Sequence, residues 1–220
     1  MNARVSLTVM MLAGTLLTAA KADAAAYSFV TAPVSFDTQL SLGFVFTANT
    51  TFDVTSLGYY DDQGDGFLTS HEVGIYQGDG ASGPGALLAF TTLAAGLSGT
   101  LGPNDFRYQA IAPLTLVSGQ TYTIAGLSPN VSGNDAWVYG GPSSVTGFSV
   151  DPQITIPLNA ARYTYSPPGG ALSNPSSHFS DYQFYAVNFN GLTLVPEPAS
   201  LALLGAGLVG LGAIRRRKAA

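Results

Sequence analysis

Residues 40–47 read LSLGFVFT, and their pattern decides the fold of this chain. Large apolar side chains recur at every second position, at Leu40, Leu42, Phe44 and Phe46. Successive side chains of a strand point to opposite faces, so this period predicts a β-strand with one buried face.

The chain beyond this stretch continues in the same way. After a turn at residues 49–50, the segment 52–60 (FDVTSLGYY) alternates again, but its phase shifts between Thr55 and Ser56, which predicts a β-bulge. Pro113 is expected to separate two later strands. Further strands are predicted at 27–30, 72–77, 86–93, 106–112, 114–117, 121–127, 137–139, 154–158 and 182–195.

The composition agrees with a fold made only of strands. Lys and Glu, which favour exposed helix faces, are nearly absent between the two ends of the chain. Gly-rich turns separate about nine to eleven predicted strands at the intervals found in sandwiches. We therefore predict an all-β fold, a β-sandwich, for residues 27–194, and a jelly-roll-like arrangement is one form that the pattern allows.

The first 26 residues read as a targeting segment rather than as a strand. One early charge, Arg4, precedes the apolar stretch 5–20, and small residues follow. This order predicts a signal peptide at residues 1–26 that directs export. The small residues place the cleavage site after Ala24 or after Ala26.

Residues 195–220 read VPEPASLALLGAGLVGLGAIRRRKAA. An uncharged stretch, 199–214, would span about 24 Å as a helix, which is short for a hydrocarbon core of roughly 30 Å. Basic residues that reach the interface and local thinning of the bilayer allow such a helix to insert. The sequence therefore predicts a short transmembrane sorting helix. It lies between a strand-breaking triplet and a basic cluster: Pro196, Glu197 and Pro198 before it, and Arg215, Arg216, Arg217 and Lys218 after it.

This three-part tail resembles the PEP-CTERM sorting signal of exported proteins from Gram-negative bacteria that make exopolysaccharide. The resemblance covers about the last tenth of the chain. It implies that a membrane protease-transpeptidase, the exosortase, recognises residues 196–198 and processes the tail. The destination it implies is the cell envelope or the extracellular space, after transient anchoring in the membrane. It assigns no activity to residues 27–194.

The exported part is far more acidic than the whole chain, whose formal charge is −5. Of the 8 Lys and Arg, six lie in the two end segments, which leaves Arg107 and Arg162. Of the 13 Asp and Glu, Asp23 and Glu197 lie outside, which leaves 11 and a net charge of −9. Such a surface excludes charge-driven binding of nucleic acid. The absence of Cys also excludes disulfides and thiol chemistry.

The most acidic stretch, residues 61–72 (DDQGDGFLTSHE), comes close to a calcium-loop template. Asp61, Asp65 and Glu72 stand at positions 1, 5 and 12 of D-x-[DN]-x-[DN]-G-x₅-E, and Gly66 supplies the turn. The pattern predicts a structural calcium ion. The flanks read as strands rather than helices, however, so an ion-free acidic hairpin loop is the alternative.

Histidines and aromatic residues supply the other candidate sites. His71 and His178 are expected in surface or loop positions, and the neighbour Glu72 would point to the face opposite His71. Trp137 and Tyr139 lie in a Gly-rich region and are predicted to face a ligand, with burial in the core as the alternative.

Three classes of function fit these observations. Because both ends of the chain read as sorting signals and no nucleophile elbow, phosphate-binding glycine loop or HExxH motif occurs, we predict a non-enzymatic protein of the cell surface or extracellular matrix. Its expected partners are an exosortase, the membrane and exopolysaccharide. The alternatives are a glycan-binding module and a polysaccharide hydrolase, which would need two carboxylates facing each other across a cleft.

Overall fold

The structure, a computed structural model, describes residues 24–35, 39–83, 85–129, 135–140, 144–165, 170–178, 183–184 and 186–195. The predicted signal peptide up to residue 23 and the predicted sorting helix from residue 196 lie outside the described residues. None of the described residues forms a helix of the length and apolarity that a membrane crossing needs.

Strands form nearly all of the regular structure, and two one-turn 3₁₀ segments, Asp62–Gly64 and Pro103–Asp105, complete it. In chain order the strands are β1 (Tyr27–Ser28), β2 (Val34–Ser35), β3 (Leu40–Ala48), β4 (Phe52–Tyr60), β5 (His71–Gln77), β6 (Leu87–Leu93), β7 (Thr100–Leu101), β8 (Phe106–Leu116), β9 (Thr121–Ser128), β10 (Trp137–Gly140), β11 (Ser149–Val150), β12 (Ile154–Thr155), β13 (Ala161–Tyr165), β14 (Gln183–Phe184), β15 (Val187–Asn190) and β16 (Thr193–Leu194).

These strands pair in several antiparallel sheets, including a curled half-barrel. In the six-stranded sheet, β12 and β13 both pair with β3, and β9, β5 and β6 follow in that order. In the five-stranded sheet, β15 and β16 both pair with β4, and β8 and β7 follow. The smaller sheets are the pair β1–β11 and the triplet β14–β10–β2. The prediction of an all-β fold is confirmed.

Strand β3 lies inside the six-stranded sheet, as its sequence suggested. It pairs along its length with β9, from Leu40 opposite Ser128 to Thr47 opposite Thr121. The predicted inward residues are buried, but Ser41 on the opposite face is buried as well. The expectation of a half-buried strand was therefore wrong, because the segment that follows β13 covers the second face, and Ser173 donates its backbone N–H to Ser41 Oγ at 2.9 Å.

The predicted bulge is confirmed, but the expected strand break is not. The register of β4 against β8 shifts between Val54 and Ser56, so that Thr55 faces the three residues 111–113 of β8. Pro113 lies inside this irregular stretch and does not end the strand, which runs without interruption over Phe106–Leu116. A bulge leaves residues out of the hydrogen-bond ladder, so the missing N–H of a proline costs little there.

One hydrophobic core includes side chains of both large sheets. Phe46 of β3 contacts Phe189 of β15 with ring centroids 4.9 Å apart. His71 of β5 similarly stacks on Tyr59 of β4. These contacts join strands of different sheets, so burial of aromatic area holds the two sheets together.

The ends of the described chain are tied into the fold. Ala26 is fully buried, donates its N–H to the Phe189 carbonyl at 2.8 Å and accepts from the Asp151 N–H at 2.9 Å. At the other end, β16 pairs with β4, and the Val195 N–H donates to the Thr51 carbonyl at 3.2 Å.

Candidate functional site

The acidic loop connects β4 of the five-stranded sheet to β5 of the six-stranded sheet. Asp61, at its start, is 1 % exposed, and its carboxylate accepts from Arg107 Nε and from the Gly66 N–H at 3.0 Å. Arg107 also donates from Nη2 to the Gly64 carbonyl at 2.9 Å. Gly66 adopts φ +104°, a region that favours glycine. Asp61 and Arg107 thus form a buried ion pair that fixes the fold of the loop.

The other predicted calcium ligands lie apart from this pair. Asp65 is exposed, and Glu72 on β5 accepts the Leu172 N–H at 2.8 Å. Within the part of the chain that the structure describes, no three His, Cys, Asp or Glu residues are grouped so that they could hold a metal ion. The structure therefore does not bring Asp61, Asp65 and Glu72 together as a ligand set, and calcium binding stays a prediction.

His71 is fully buried, so its expected position on the surface or in a loop was wrong. Its Nδ1 lies 3.1 Å from the Leu127 carbonyl oxygen, and its Nε2 lies 2.8 Å from Asp135 Oδ2. A carbonyl oxygen can only accept, and an ionised carboxylate also accepts. Both ring nitrogens therefore face oxygen acceptors, and Nε2 pairs with the Asp135 carboxylate.

Aromatic rings enclose this histidine. The Tyr59 ring stacks on it with centroids 3.9 Å apart and planes at 18°, and Phe67 meets it edge-on at 4.9 Å. Burial raises the pKa of the Tyr59 hydroxyl well above its usual value, so that hydroxyl stays neutral. Gly126 makes room for the stack, because a Cβ there would lie 2.8 Å from Tyr59 Cε2.

Asp135 links His71 to the end of the acidic loop. Its carboxylate also accepts the backbone N–H groups of Leu68 at 2.9 Å and Thr69 at 3.3 Å. Burial acts to raise the pKa of Asp135, but the hydrogen bonds and charge of His71 and the two backbone donors outweigh it and hold that pKa below its usual value. The His71–Asp135 pair therefore stabilises the loop, as the Asp61–Arg107 pair does at its other end.

The predicted aromatic pair, Trp137 and Tyr139, lies on β10. The two rings are 5.7 Å apart at an angle of 63°. Trp137 is only 7 % exposed and packs in the core, whereas Tyr139 is half-buried. Trp137 therefore presents no open face for a ligand, and the alternative of a core residue describes it.

A cleft of about 500 Å³ opens on the five-stranded sheet. Residues from four adjacent strands line it, among them Asn190 of β15, Ser56 of β4, Tyr108 of β8 and Thr100 of β7. In the sheet register Asn190 pairs with Ser56, and Thr100 pairs with Tyr108. Paired residues point to the same face. Sequence reasoning missed this cleft, although the bulge at Thr55, which also lines it, was a signal.

The cleft has an uncharged wall. The residues that line it are hydroxyl, amide or apolar ones, and none of them is Asp, Glu, Lys, Arg or His. Ser56 Oγ donates to Asn190 Oδ1. The Tyr108 ring lies between Gly58 and Gly102, where a Cβ on either glycine would come within 2.7 Å of it.

Comparison with known proteins assigns the tail. Residues 194–218 match the PEP-CTERM protein-sorting motif, and the match contains the predicted sorting residues Pro196, Glu197, Pro198, Arg215, Arg216 and Arg217. The predicted resemblance is confirmed. The motif implies an exported protein that an exosortase processes, and PEP-CTERM proteins are sorted to the cell surface. No curated protein matches the chain.

Proposed function

We propose that this chain is a non-enzymatic protein of the cell surface or extracellular matrix of an exopolysaccharide-producing Gram-negative bacterium. The observation that carries the proposal is the sorting motif at residues 194–218. In this proposal an exosortase acts at residues 196–198 after the following apolar segment has entered the membrane. The protein then stays with the polysaccharide outside the cell.

The junction between the folded domain and the motif supports this proposal. Strand β16 pairs with Phe52 and Asp53 of β4 and ends at Leu194, where the motif match begins. The folded domain therefore reaches the motif with almost no linker. Removal of the tail would therefore leave the sheets intact.

The contacts of Asp61 and Asp135 support a role without catalysis. Asp61 forms an ion pair with Arg107, and Asp135 pairs with His71 and accepts hydrogen bonds from backbone N–H groups of the loop. A glycosidase needs two carboxylates on opposite sides of its substrate. The 500 Å³ cleft is lined instead by uncharged residues.

For the fold we propose a β-sandwich formed by the six-stranded and five-stranded sheets. The contact of Phe46 with Phe189 and the stacking of His71 on Tyr59 support this arrangement, because each joins one sheet to the other. The jelly-roll-like form stays a prediction.

Deleting residues 196–220 should abolish retention at the cell surface, because it removes the segment that the sorting machinery reads. The measurement is the distribution of the protein between washed cells and culture medium. Deleting only residues 219–220, which lie beyond the motif match, is the control and should leave the distribution unchanged. Unchanged retention of the longer deletion variant would refute the proposal.

The contacts of Ala26 favour cleavage of the signal peptide after Ala24. Cleavage after Ala26 would remove a fully buried residue together with its hydrogen bonds to Phe189 and Asp151. Cleavage after Ala24 keeps both. We therefore expect the exported protein to begin at Ala25, and mass spectrometry of its N-terminal peptide measures this. A mature chain that begins at Tyr27 would contradict the expectation.

A further inference from the structure

We propose that the cleft on the five-stranded sheet binds a neutral, polyhydroxylated ligand, namely a short segment of an uncharged oligosaccharide. This proposal deepens the proposed function by naming a ligand class for the folded domain. It does not depend on how the tail is processed.

The cleft has the size and the support of a binding site. Its volume of about 500 Å³ falls within the range of ~300–1,000 Å³ for small-molecule sites. Its floor crosses four hydrogen-bonded strands, β15, β4, β8 and β7, which hold the lining side chains in fixed positions. The bulge at Thr55 adds consecutive residues of β8, Ala110 and Ile111, to the lining. Bulges often re-aim side chains beside functional sites.

The polar groups of the cleft suit sugar hydroxyls. The Asn190 oxygen accepts from Ser56, which leaves the Asn190 Nδ2 group as the donor of that amide. The Thr100 hydroxyl stands on the exposed strand β7 and both donates and accepts. A sugar ring offers hydroxyls of the same dual kind, so each cleft group finds a complementary partner.

Tyr108 supplies a second, independent observation. The side chain lines the cleft and is only 5 % exposed, yet its hydroxyl makes no hydrogen bond within the described part of the chain. Buried hydroxyls normally have a partner, and one without a partner destabilises the protein. In this proposal a bound ligand supplies the missing hydrogen bond.

The other residues that line the cleft favour an uncharged ligand. Pro103 and Ile111 give apolar surface for the C–H face of a sugar ring, and the lining holds no charge that could balance a carboxylate or sulfate on the ligand. The acidic surface of the exported part further disfavours anionic polymers. A peptide strand is disfavoured because it would rely on a free sheet edge, whereas this cleft lies on a sheet face.

The test uses the full-length protein, purified in a zwitterionic detergent that has no sugar headgroup. Calorimetry measures binding of neutral tetrasaccharides of glucose, mannose and galactose, with tetragalacturonate and an uncharged decapeptide for comparison. We expect at least one neutral tetrasaccharide to bind at millimolar concentration or below. Binding of none of them, or a preference for tetragalacturonate or the peptide, would overturn the proposal.

Three substitutions test whether the sugar binds in the cleft. Ala110→Trp fills the cleft from an exposed position and should weaken binding at least about tenfold, whereas Ala112→Trp, on the same strand but outside the lining, should change it less than about twofold. Tyr108→Phe should weaken binding about tenfold while raising the melting temperature of the free protein, because it removes a buried hydroxyl without a partner. Equal binding by the wild type, Ala110→Trp and Tyr108→Phe would refute the cleft as the site.

These outcomes separate this proposal from the preceding one. Cleft variants that lose sugar binding should still be retained at the cell surface if the tail alone governs sorting. A failure of the sugar assays would leave the sorting result unaffected, and a failure of sorting would leave the binding assays unaffected.

Discussion

Replacing Asp61 with Ala should lower the free energy of unfolding by about 3–5 kcal/mol. The substitution leaves the guanidinium of Arg107, a residue that is 5 % exposed, as a buried charge without its carboxylate. It also removes the acceptor of the Gly66 N–H. For a domain of this size the loss corresponds to a fall in melting temperature of roughly 10 °C. Thermal and urea unfolding of the variant measure it.

The neighbouring acid provides a matched control. Asp65 is exposed and belongs to the same loop, so Asp65→Ala should change stability by less than about 0.5 kcal/mol. Adding Arg107→Met to Asp61→Ala should restore part of the loss, because the double variant no longer buries an unpaired charge.

A chelator distinguishes a loop that the Asp61–Arg107 ion pair stabilises from a loop that a calcium ion stabilises. If Asp61 acts through Arg107, EDTA should leave the melting temperature of the wild-type protein unchanged. If a calcium ion holds the loop, EDTA should lower it by several degrees, and Asp65→Ala should be as damaging as Asp61→Ala. That pattern would show that the contacts with Arg107 are secondary.

Replacing His71 with Ala should cost about 3–4 kcal/mol. The change empties the space between Tyr59 and Phe67, and it leaves the Leu127 carbonyl and the Asp135 carboxylate without their partner. His178→Ala, at an exposed position, is the control and should stay within about 0.5 kcal/mol of the wild type. Similar stabilities for the two variants would contradict the role that we assign to His71.

Low pH should weaken the contacts of Asp135 with His71 and with the acidic loop. The pKa of Asp135 is lower in the folded state than its usual value of about 3.9. Its contribution to stability is therefore fully present above about pH 4 and is lost as the pH falls through the folded pKa. We expect wild-type protein to exceed Asp135→Asn in melting temperature at pH 6, with the difference shrinking below about pH 4. A difference that stays constant down to pH 2 would contradict this.

Local patterns in the sequence predicted the strands well. The alternation in β3 and the phase shift in β4 both reflect which side chains face the core, and this information is local. Pro113 misled the prediction because the cost of a proline depends on the ladder beside it, and the bulge removes that cost. Strand β13 and the two-residue strands β2, β7 and β11 were missed. In β13, Ala161, Tyr163 and Tyr165 follow the same period over a stretch of only five residues.

The buried pairs could not be predicted because their members are far apart in the sequence. Asp61 and Arg107 are 46 residues apart, and His71 and Asp135 are 64 residues apart. Each pair forms because separate strands or loops meet, and no spacing rule encodes such a meeting. The acidic loop resembled a calcium template through its carboxylates, whereas its fold depends on one arginine from β8. The cleft likewise combines uncharged residues of four strands, so it leaves no motif.

The place of β15 and β16 in the five-stranded sheet has a consequence for the timing of folding. These are the last strands before the tail, yet they pair with β4 near the beginning of the domain. Export delivers a chain from its N-terminus, so the backbone groups of β4 that face β15 and β16 have no partner until residues 187–194 emerge. Pairings so distant in sequence also form slowly. We therefore expect the domain to finish folding only as its sorting tail arrives at the membrane.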